Sequence, residues 1–470
     1  MQSDIRLIAR VTTAIASLVL AIAAGCHSPS DVPGPIGFHF VPHDCPPALA
    51  TANARCGYVA VPEDYSKRGG RTINLNVIVL NSLEPGGARA AQYDLEGGPG
   101  FAVTDSAPFY ATDGAMYRTD RDVVLADMRG TGGSAGLFCP NIAQHEKANP
   151  GSPLYPPGLV RDCAERLSSN ADLRQYTTAA AARDIDAVRT ALGYQRLDLN
   201  ALSYGTTLAL RYIADYPDHV RTAVLYGAVP AGRMPPRDHA IAAERALRLL
   251  FQICAADPAC SAKYPNPAAD LERATGRLDA EARDVFLEKL RTMLYLPGTA
   301  RRVPFVLRKA ADGDFPAHAG DAGNRRFADG LYLSITCSES LAMMDLDEAI
   351  TVSDASHFGA YRLRRQSDAC REWPKAASDR RLFELVHSDV PVLFISGALD
   401  PVTPPDWAME TATHFPASRH VIVAQGGHML EGMSGIDTCL DRVVPQFVAK
   451  ASAASVDMAC FDSMEAGPFQ

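Results

Sequence analysis

A chain of 470 residues, 47% hydrophobic and 21% charged, is long enough for one large domain with an insertion, or for two domains. Its formal net charge of −9 argues against a nucleic-acid partner, because phosphate recognition needs concentrated Lys and Arg. The basic clusters, such as Arg362-Leu363-Arg364-Arg365 and Arg380-Arg381, are short and interrupted and read as solvated surface.

At the N-terminus, Arg6 and Arg10 precede an apolar run from Val11 to Ala24, too short to span a bilayer comfortably. Residues 1–26 therefore read as a targeting segment. Its end, Ala23-Ala24-Gly25-Cys26, resembles a bacterial lipobox, in which the cysteine is acylated and becomes the first residue. The expectation is an exported protein attached to the cell envelope through Cys26; ordinary signal cleavage nearby would instead leave it soluble and exported. Removing Cys26 from eleven cysteines leaves an even ten, which an oxidising compartment can pair. Connectivity does not follow from spacing alone. Nearest-neighbour pairing would join Cys45 to Cys56, Cys139 to Cys163, Cys254 to Cys260, Cys337 to Cys370 and Cys439 to Cys460. None of the spacings is C-x-x-C, which argues against a zinc or thioredoxin-type site.

Residues 27–44, rich in Pro, Gly and Ser, read as a tether. His39 and His43 lie in it, but the prolines around them argue against a metal helix. Residues 45–230 are expected to form the first part of an α/β core. Gly57–Pro62 and Ile73–Leu80 are strand-like, with Gly69-Gly70 as a hairpin turn. Gln92–Leu95 runs into Glu96-Gly97-Gly98-Pro99-Gly100, a glycine cluster where backbone can approach another group closely. Asp122–Asp127 is the next strand and ends in Met128-Arg129-Gly130-Thr131-Gly132. Residues 177–192 predict a helix with Thr178 as cap and Gly193 as stop.

Leu197–Leu202 then leads into Ser203-Tyr204-Gly205-Thr206 and a helical run from Leu208 to Ala214. A serine between small residues on a strand-to-helix turn has the form of a nucleophile elbow, here with Ala201 at the first glycine of G-x-S-x-G. The turn would lift the hydroxyl clear of the sheet and aim the Tyr204 N–H at a developing oxyanion. Val220–Val229 is a further strand. Residues 231–388 break the alternation and predict a helical cap, with one helix over Ile241–Ile253. The core resumes over 389–470, with strands at Val390–Gly397 and from His420 onward. Strands alternating with helices imply a mostly parallel sheet covered by helices on both faces.

Two ionisable residues follow those last strands. Asp400 precedes Pro401, and His428 follows Gly426-Gly427. The order Ser203, Asp400, His428 is that of the α/β-hydrolase triad. A serine hydroxyl needs a base to take its proton during attack. His428 can do so near neutral pH, while Asp400 fixes its tautomer and stabilises the imidazolium. Oxyanion donors would be the Tyr204 N–H and one from Gly97 or Gly98.

Taken together, Glu96-Gly97-Gly98-Pro99-Gly100, Asp127-Met128-Arg129-Gly130-Thr131-Gly132 and Ser203-Tyr204-Gly205-Thr206 resemble the motifs of the proline iminopeptidase and tripeptidyl aminopeptidase family of α/β-hydrolases. The region from Pro391 to Cys460, and Tyr332-Leu333-Ser334-Ile335-Thr336-Cys337-Ser338-Glu339, resemble the tripeptidyl branch. The resemblance implies a serine hydrolase without a cofactor; a monomer and no metal are further expectations. It would act on short peptides or amino-acid amides with a free N-terminus. Glu96 stands where the family's oxyanion motif often has His, and Ala201-Leu202 replaces a Gly-Gly pair beside the nucleophile. An aminopeptidase must also hold a protonated amine, for which Glu339 and Glu96 are candidates. Two other readings stay open. One is an exported esterase or lipase with the same triad, since a triad does not separate ester from amide. The other is an inactive envelope protein that binds a ligand.

Overall fold

Nine strands among the described residues form one sheet: β1 (Phe40–His43), β2 (Ala54–Pro62), β3 (Thr72–Leu80), β4 (Ala90–Leu95), β5 (Asp122–Ala126), β6 (Arg196–Leu202), β7 (Val220–Tyr226), β8 (Val392–Gly397) and β9 (Ser418–Val423). The computed structural model describes residues 37–84, 90–149, 151–233, 235–315 and 326–470; the targeting segment and Cys26 lie outside them. Spatial order is β1-β2-β3-β5-β4-β6-β7-β8-β9. β1, β2, β3 and β5 pair antiparallel in that sequence, and every pairing from β5 through β4 to β9 is parallel. β8 is buried at all six positions, as a strand covered on both faces must be.

Helices cover both faces. On one side Thr178–Leu192, Tyr204–Asp215 and Pro405–Ala412 pack Ile185, Val188, Leu208 and Ala408 onto β4, β6 and β8. On the other, Ala107–Ala111 and Ile436–Lys450 pack Tyr110, Val444 and Phe447 against the opposite side chains of β5, β7 and β8. The Thr178–Leu192 helix ends at Gly193 with φ 79°, the left-handed stop its sequence called for. Its cap is Thr177, one residue earlier than expected, whose side chain accepts from the Ala180 N–H. Thr178 is thereby free for another partner.

The tether expectation gives way at its end. Phe40–His43 is an edge strand on β2, and the Phe40 ring covers Gly57, where any Cβ would strike it. Between β7 and β8 run the long helix Pro235–Ala256 and further helices that include Ala280–Met293, Asp329–Ser338 and Tyr361–Arg371. Much of this segment has its own apolar core around Leu247, Leu290, Val303 and Leu307. A second cluster joins Asp329–Ser338 and Tyr361–Arg371 to Pro140–Ala148 and Pro157–Ser168, so part of the β5–β6 connection packs into the same cap. All five disulfides follow nearest-neighbour pairing. Cys139–Cys163 and Cys337–Cys370 both lie in that second cluster.

The Met128–Gly132 motif ties these layers together. Arg129 is fully buried and donates to both oxygens of Asp184 on the Thr178–Leu192 helix, at 2.6 and 2.7 Å. It also donates to the carbonyls of Glu63 and Gln175, each at 2.9 Å. A cation taken so far from water is tolerable only because its N–H groups are spent on fixed acceptors. Replacing Arg129 with Ala strands Asp184 as a buried charge. The expected cost is about 3–5 kcal/mol, read as a lower denaturant midpoint at unchanged slope; an unchanged midpoint would show that the pair does not hold the layers.

Candidate active site

β4, β6, β7 and β8 are parallel and in register at their carboxyl ends, where Leu95 pairs with Ala201, Leu202 with Tyr226, and Tyr226 with Ile395. The next residues along, Gly97, Ser203, Gly227 and Asp400, therefore collect along one edge. Ser203 has φ 56° and ψ −124°, a backbone conformation that L-residues avoid and that costs on the order of 1–3 kcal/mol. Local bonds hold it there. The Ser203 N–H donates to the Tyr226 carbonyl at 2.9 Å, and its own carbonyl accepts from the Thr206 N–H at 2.8 Å and the Thr206 hydroxyl at 2.6 Å. The helix begins at once, at Tyr204, earlier than its apolar pattern suggests. Gly205 packs so tightly on the end of β4 that a Cβ would collide with the Leu95 carbonyl. Ala201, in place of the usual glycine, is buried in the core beneath the turn.

The glycine loop comes to the serine. A Cβ on Gly97 would lie 3.0 Å from the Ser203 Cβ and 3.5 Å from its Oγ. Gly98 is exposed, with φ 115°. Glu96 accepts from the Gly97 N–H at 3.3 Å.

Asp400 and His428 meet at the ends of β8 and β9. The His428 Nδ1 is 2.8 Å from Asp400 Oδ2, and both residues are buried. Asp400 Oδ1 accepts from the Val402 and Thr403 N–H groups, each at 2.8 Å, and Oδ2 accepts from the Thr403 hydroxyl at 2.7 Å. The carboxylate is thus oriented by its own turn before it meets the imidazole. Gly227 joins this pair to the elbow. It follows Tyr226, which holds the Ser203 N–H, and a Cβ on it would sit 3.4 Å from both Asp400 Oδ2 and His428 Cε1. Among the described residues no hydrogen bond joins the Ser203 hydroxyl to the His428 ring. Such a bond is commonly long without substrate and shortens in the complex.

Some contributors gave no sequence signal. Tyr295, in the cap, sets its ring edge-on to His428 with centroids 5.2 Å apart, and its carbonyl accepts from the Met429 N–H at 2.9 Å. Arg245 donates to the Ala398 and Asp400 carbonyls at 2.9 and 3.2 Å. Phe327 covers the glycine loop, where a Cβ on Gly100 would come within 2.6 Å of its ring. Thr403 was more legible, because Asp-Pro-x-Thr reads as a turn in which the side chain binds its own backbone.

The two candidate amine-binding carboxylates fall in different places. Glu96 lies beside the oxyanion loop. Glu339 is buried at the start of the Thr178–Leu192 helix, where both its oxygens are occupied: Oε1 by the Thr178 N–H at 2.7 Å and Oε2 by the Thr178 hydroxyl at 2.6 Å. That hydroxyl is also 2.7 Å from the Tyr204 phenol. A surface cleft of about 540 Å³ opens at Glu339 between Lys67, Arg174, Lys375 and Asp379, and none of Ser203, Asp400 and His428 lines it. Among the described residues no group of His, Cys, Asp or Glu side chains is arranged to hold a metal ion.

Residues 95–252 match the "alpha/beta hydrolase fold" family and residues 355–460 the "TAP-like protein" family. The tripeptidyl aminopeptidase of Streptomyces lividans is 26% identical, over 86% of this chain and 83% of its own. The serine protease Hip1 of Mycobacterium tuberculosis is 24% identical, over 86% of each chain. Carboxylesterase B of Mycobacterium tuberculosis is 29% identical over 228 residues, 44% of this chain and 43% of its own. The chain is an α/β-hydrolase, and an enzyme of the serine-hydrolase kind. Its C-terminal region, residues 355–460, is the part similar to the TAP-like proteins.

Burial raises the Glu339 carboxyl from 4.5 to about 7, against the opposing bonds from Thr178. The folded protein then holds a proton between those values that the unfolded chain releases. Its contribution to stability is lost as pH rises from about 4.5 to about 7, by up to about 3 kcal/mol. Glu339→Gln removes this dependence. The variant's stability relative to wild type is expected to climb across that interval in pH-resolved denaturant melts, and parallel curves would refute the assignment.

Proposed function

We propose that the chain is an exported serine aminopeptidase that works through Ser203, His428 and Asp400 and forms an acyl-enzyme. The observation that carries this reading is the buried Asp400–His428 pair, which meets the strained Ser203 turn across Gly227. Asp400 holds Nδ1, so the Nε2 lone pair is the one left to accept the serine proton. Ser203 Oγ then attacks the carbonyl carbon of the substrate. The resulting oxyanion is met by the Tyr204 N–H and one from Gly97 or Gly98. His428 returns the proton to the departing amine, and water releases the acyl group by the same steps.

For the substrate's own amine, Glu96 is the better placed carboxylate, next to the loop that passes against Ser203. Glu339 fits a different task, anchoring Thr178 and through it Tyr204. A free N-terminus on the substrate rests on the tripeptidyl aminopeptidase relative, which matches most of both chains. Five disulfides support passage through an oxidising compartment. Cys26 is the residue that lipid attachment would use. The second reading, an esterase with the same triad, is favoured by the carboxylesterase relative over the shorter match.

Ser203→Ala is expected to fold normally, to lose labelling by a fluorophosphonate probe, and to lose turnover by roughly 10⁶. Persistent labelling of the variant would place the nucleophile elsewhere. A panel of free and N-acetylated peptides beside simple acyl esters then separates the two readings. A peptidase that needs the free amine cleaves only the unblocked peptides well, whereas an esterase is indifferent to the block.

A further inference from the structure

The cap carries a largely buried cluster that neither the triad nor the amine candidates use. Glu288 and Arg291, on the Ala280–Met293 helix, meet Arg362 on the Tyr361–Arg371 helix. Glu288 Oε1 accepts from Arg291 Nη2 at 2.7 Å and from Arg362 Nε and Nη2 at 3.0 and 2.5 Å; Oε2 accepts from Arg291 Nε at 3.1 Å. Two guanidiniums share one carboxylate, which leaves a formal charge of +1 in a desolvated place. Glu146, the next acid near Arg362, makes no ion pair with it among the described residues. Each guanidinium has five N–H groups, and these bonds do not exhaust either.

The cluster reaches the reacting centre from two sides. Arg291 Nη1 donates to the Tyr295 hydroxyl at 2.9 Å, and the Tyr295 ring stands against His428. Arg362 points Nη1 toward the Tyr332 hydroxyl at 3.5 Å; Tyr332 packs on Phe327, which covers the oxyanion loop at Gly98 and Gly100. Through these rings the cluster is joined to the base on one side and to the oxyanion loop on the other, as a roof over both. His239, on the Pro235–Ala256 helix, closes the roof. It is buried, and among the described residues its Nδ1 has no hydrogen-bond partner. Burial and the charges of Arg291 and Arg362 push its basicity well down, and His428 acts on it in the same direction. A buried ring nitrogen without a partner is expensive to leave so.

We propose that Arg291, Arg362 and His239 form a subsite for a carboxylate of the substrate. The proposal rests on the serine-hydrolase reading and adds the chemical class of what that site accepts. A carboxylate can take N–H bonds from both guanidiniums and from His239 Nδ1, cancelling the excess charge. An ammonium group would meet two guanidiniums already drawn to the one carboxylate of Glu288. The roof therefore suits the end of a peptide opposite its amine. Either the free C-terminus of a short peptide or an acidic side chain near the scissile bond supplies the same group.

Binding, rather than rate, tests this, and it is measured on the Ser203→Ala protein so that turnover of the peptides does not intervene. Titration calorimetry would compare Ala-Ala-Ala with a free C-terminus, its C-terminal amide, and Ala-Ala-Glu amide, each with a free N-terminus. The expected result is that at least one carboxylate-bearing peptide binds about tenfold or more tightly than the Ala-Ala-Ala amide; which one does identifies the source. Adding Arg362→Gln should shrink that ratio toward one. Adding Glu288→Gln, which frees both arginines, should widen it. Equal binding of all three peptides, tighter binding of the amide, no binding of any, or a ratio unmoved by both changes would overturn the subsite. Fluorophosphonate labelling of the wild-type chain reports separately on Ser203.

Discussion

The strained backbone at Ser203 is the constraint on which the site depends. A serine on an ordinary turn would satisfy φ and ψ and leave its hydroxyl beside the sheet. Here the residue occupies a conformation that it would leave if released. Three neighbours prevent this. The Tyr226 carbonyl takes its N–H, Thr206 takes its carbonyl twice, and Gly205 lets the helix start against the end of β4. Thr206 is fixed in turn by the Val229 N–H at 3.0 Å. The strain is thus imposed by parallel pairing of β4, β6 and β7, which also delivers Gly97 and Gly227 to either side of the serine. Site and fold share one register: a slip of one residue would turn the alternating faces over and separate Gly97, Ser203 and Gly227.

The layers around that register are tied by polar groups that burial makes costly to misplace. Arg129 holds the Thr178–Leu192 helix to the ends of β2 and β5, and Glu339 holds the start of the same helix to the cap. The chain from Glu339 through Thr178 to the Tyr204 phenol is continuous, with links of 2.6 and 2.7 Å. Tyr204 also supplies the proposed oxyanion N–H, so a cap residue bears on the reacting centre without touching it. In a low-dielectric setting each unpaired member would cost more than a surface contact returns.

How much of this was legible depended on whether the signal was local. The strands around the elbow were, because β6 alternates leucine with polar residues and β8 is an apolar run, each ending at a glycine or polar turn. Ser203, Asp400 and His428 were legible as an order, since each stands just past a strand and a parallel sheet brings such positions to one edge. The disulfide partners are also near in sequence, and nearest-neighbour pairing sufficed. Contacts across long separations left no mark. Tyr295 against His428 depends on how a cap helix ends over the sheet. The role of Glu339 turned on a one-residue shift in a helix cap, from Thr178 to Thr177, that propensity cannot resolve. β1 went unseen because four edge residues between prolines look like linker until Phe40 finds the bare backbone of Gly57.

The cap shows why chemistry and specificity separate in such a fold. Everything the proposed acyl transfer would require sits on the sheet edge, within loops a few residues long, and would serve ester or amide alike. Selection must come from groups the sheet does not supply. The cap brings a different electrostatic character: buried guanidiniums in excess of their carboxylate, an imidazole kept neutral, and aromatic rings that carry both to the catalytic loops. Such a cluster is a poor way to add stability, because desolvating its charges offsets most of their attraction. Apolar side chains of similar volume would pack the cap at less cost. Its links to His428 on one side and to the glycine loop on the other give the arrangement a use that stability alone does not.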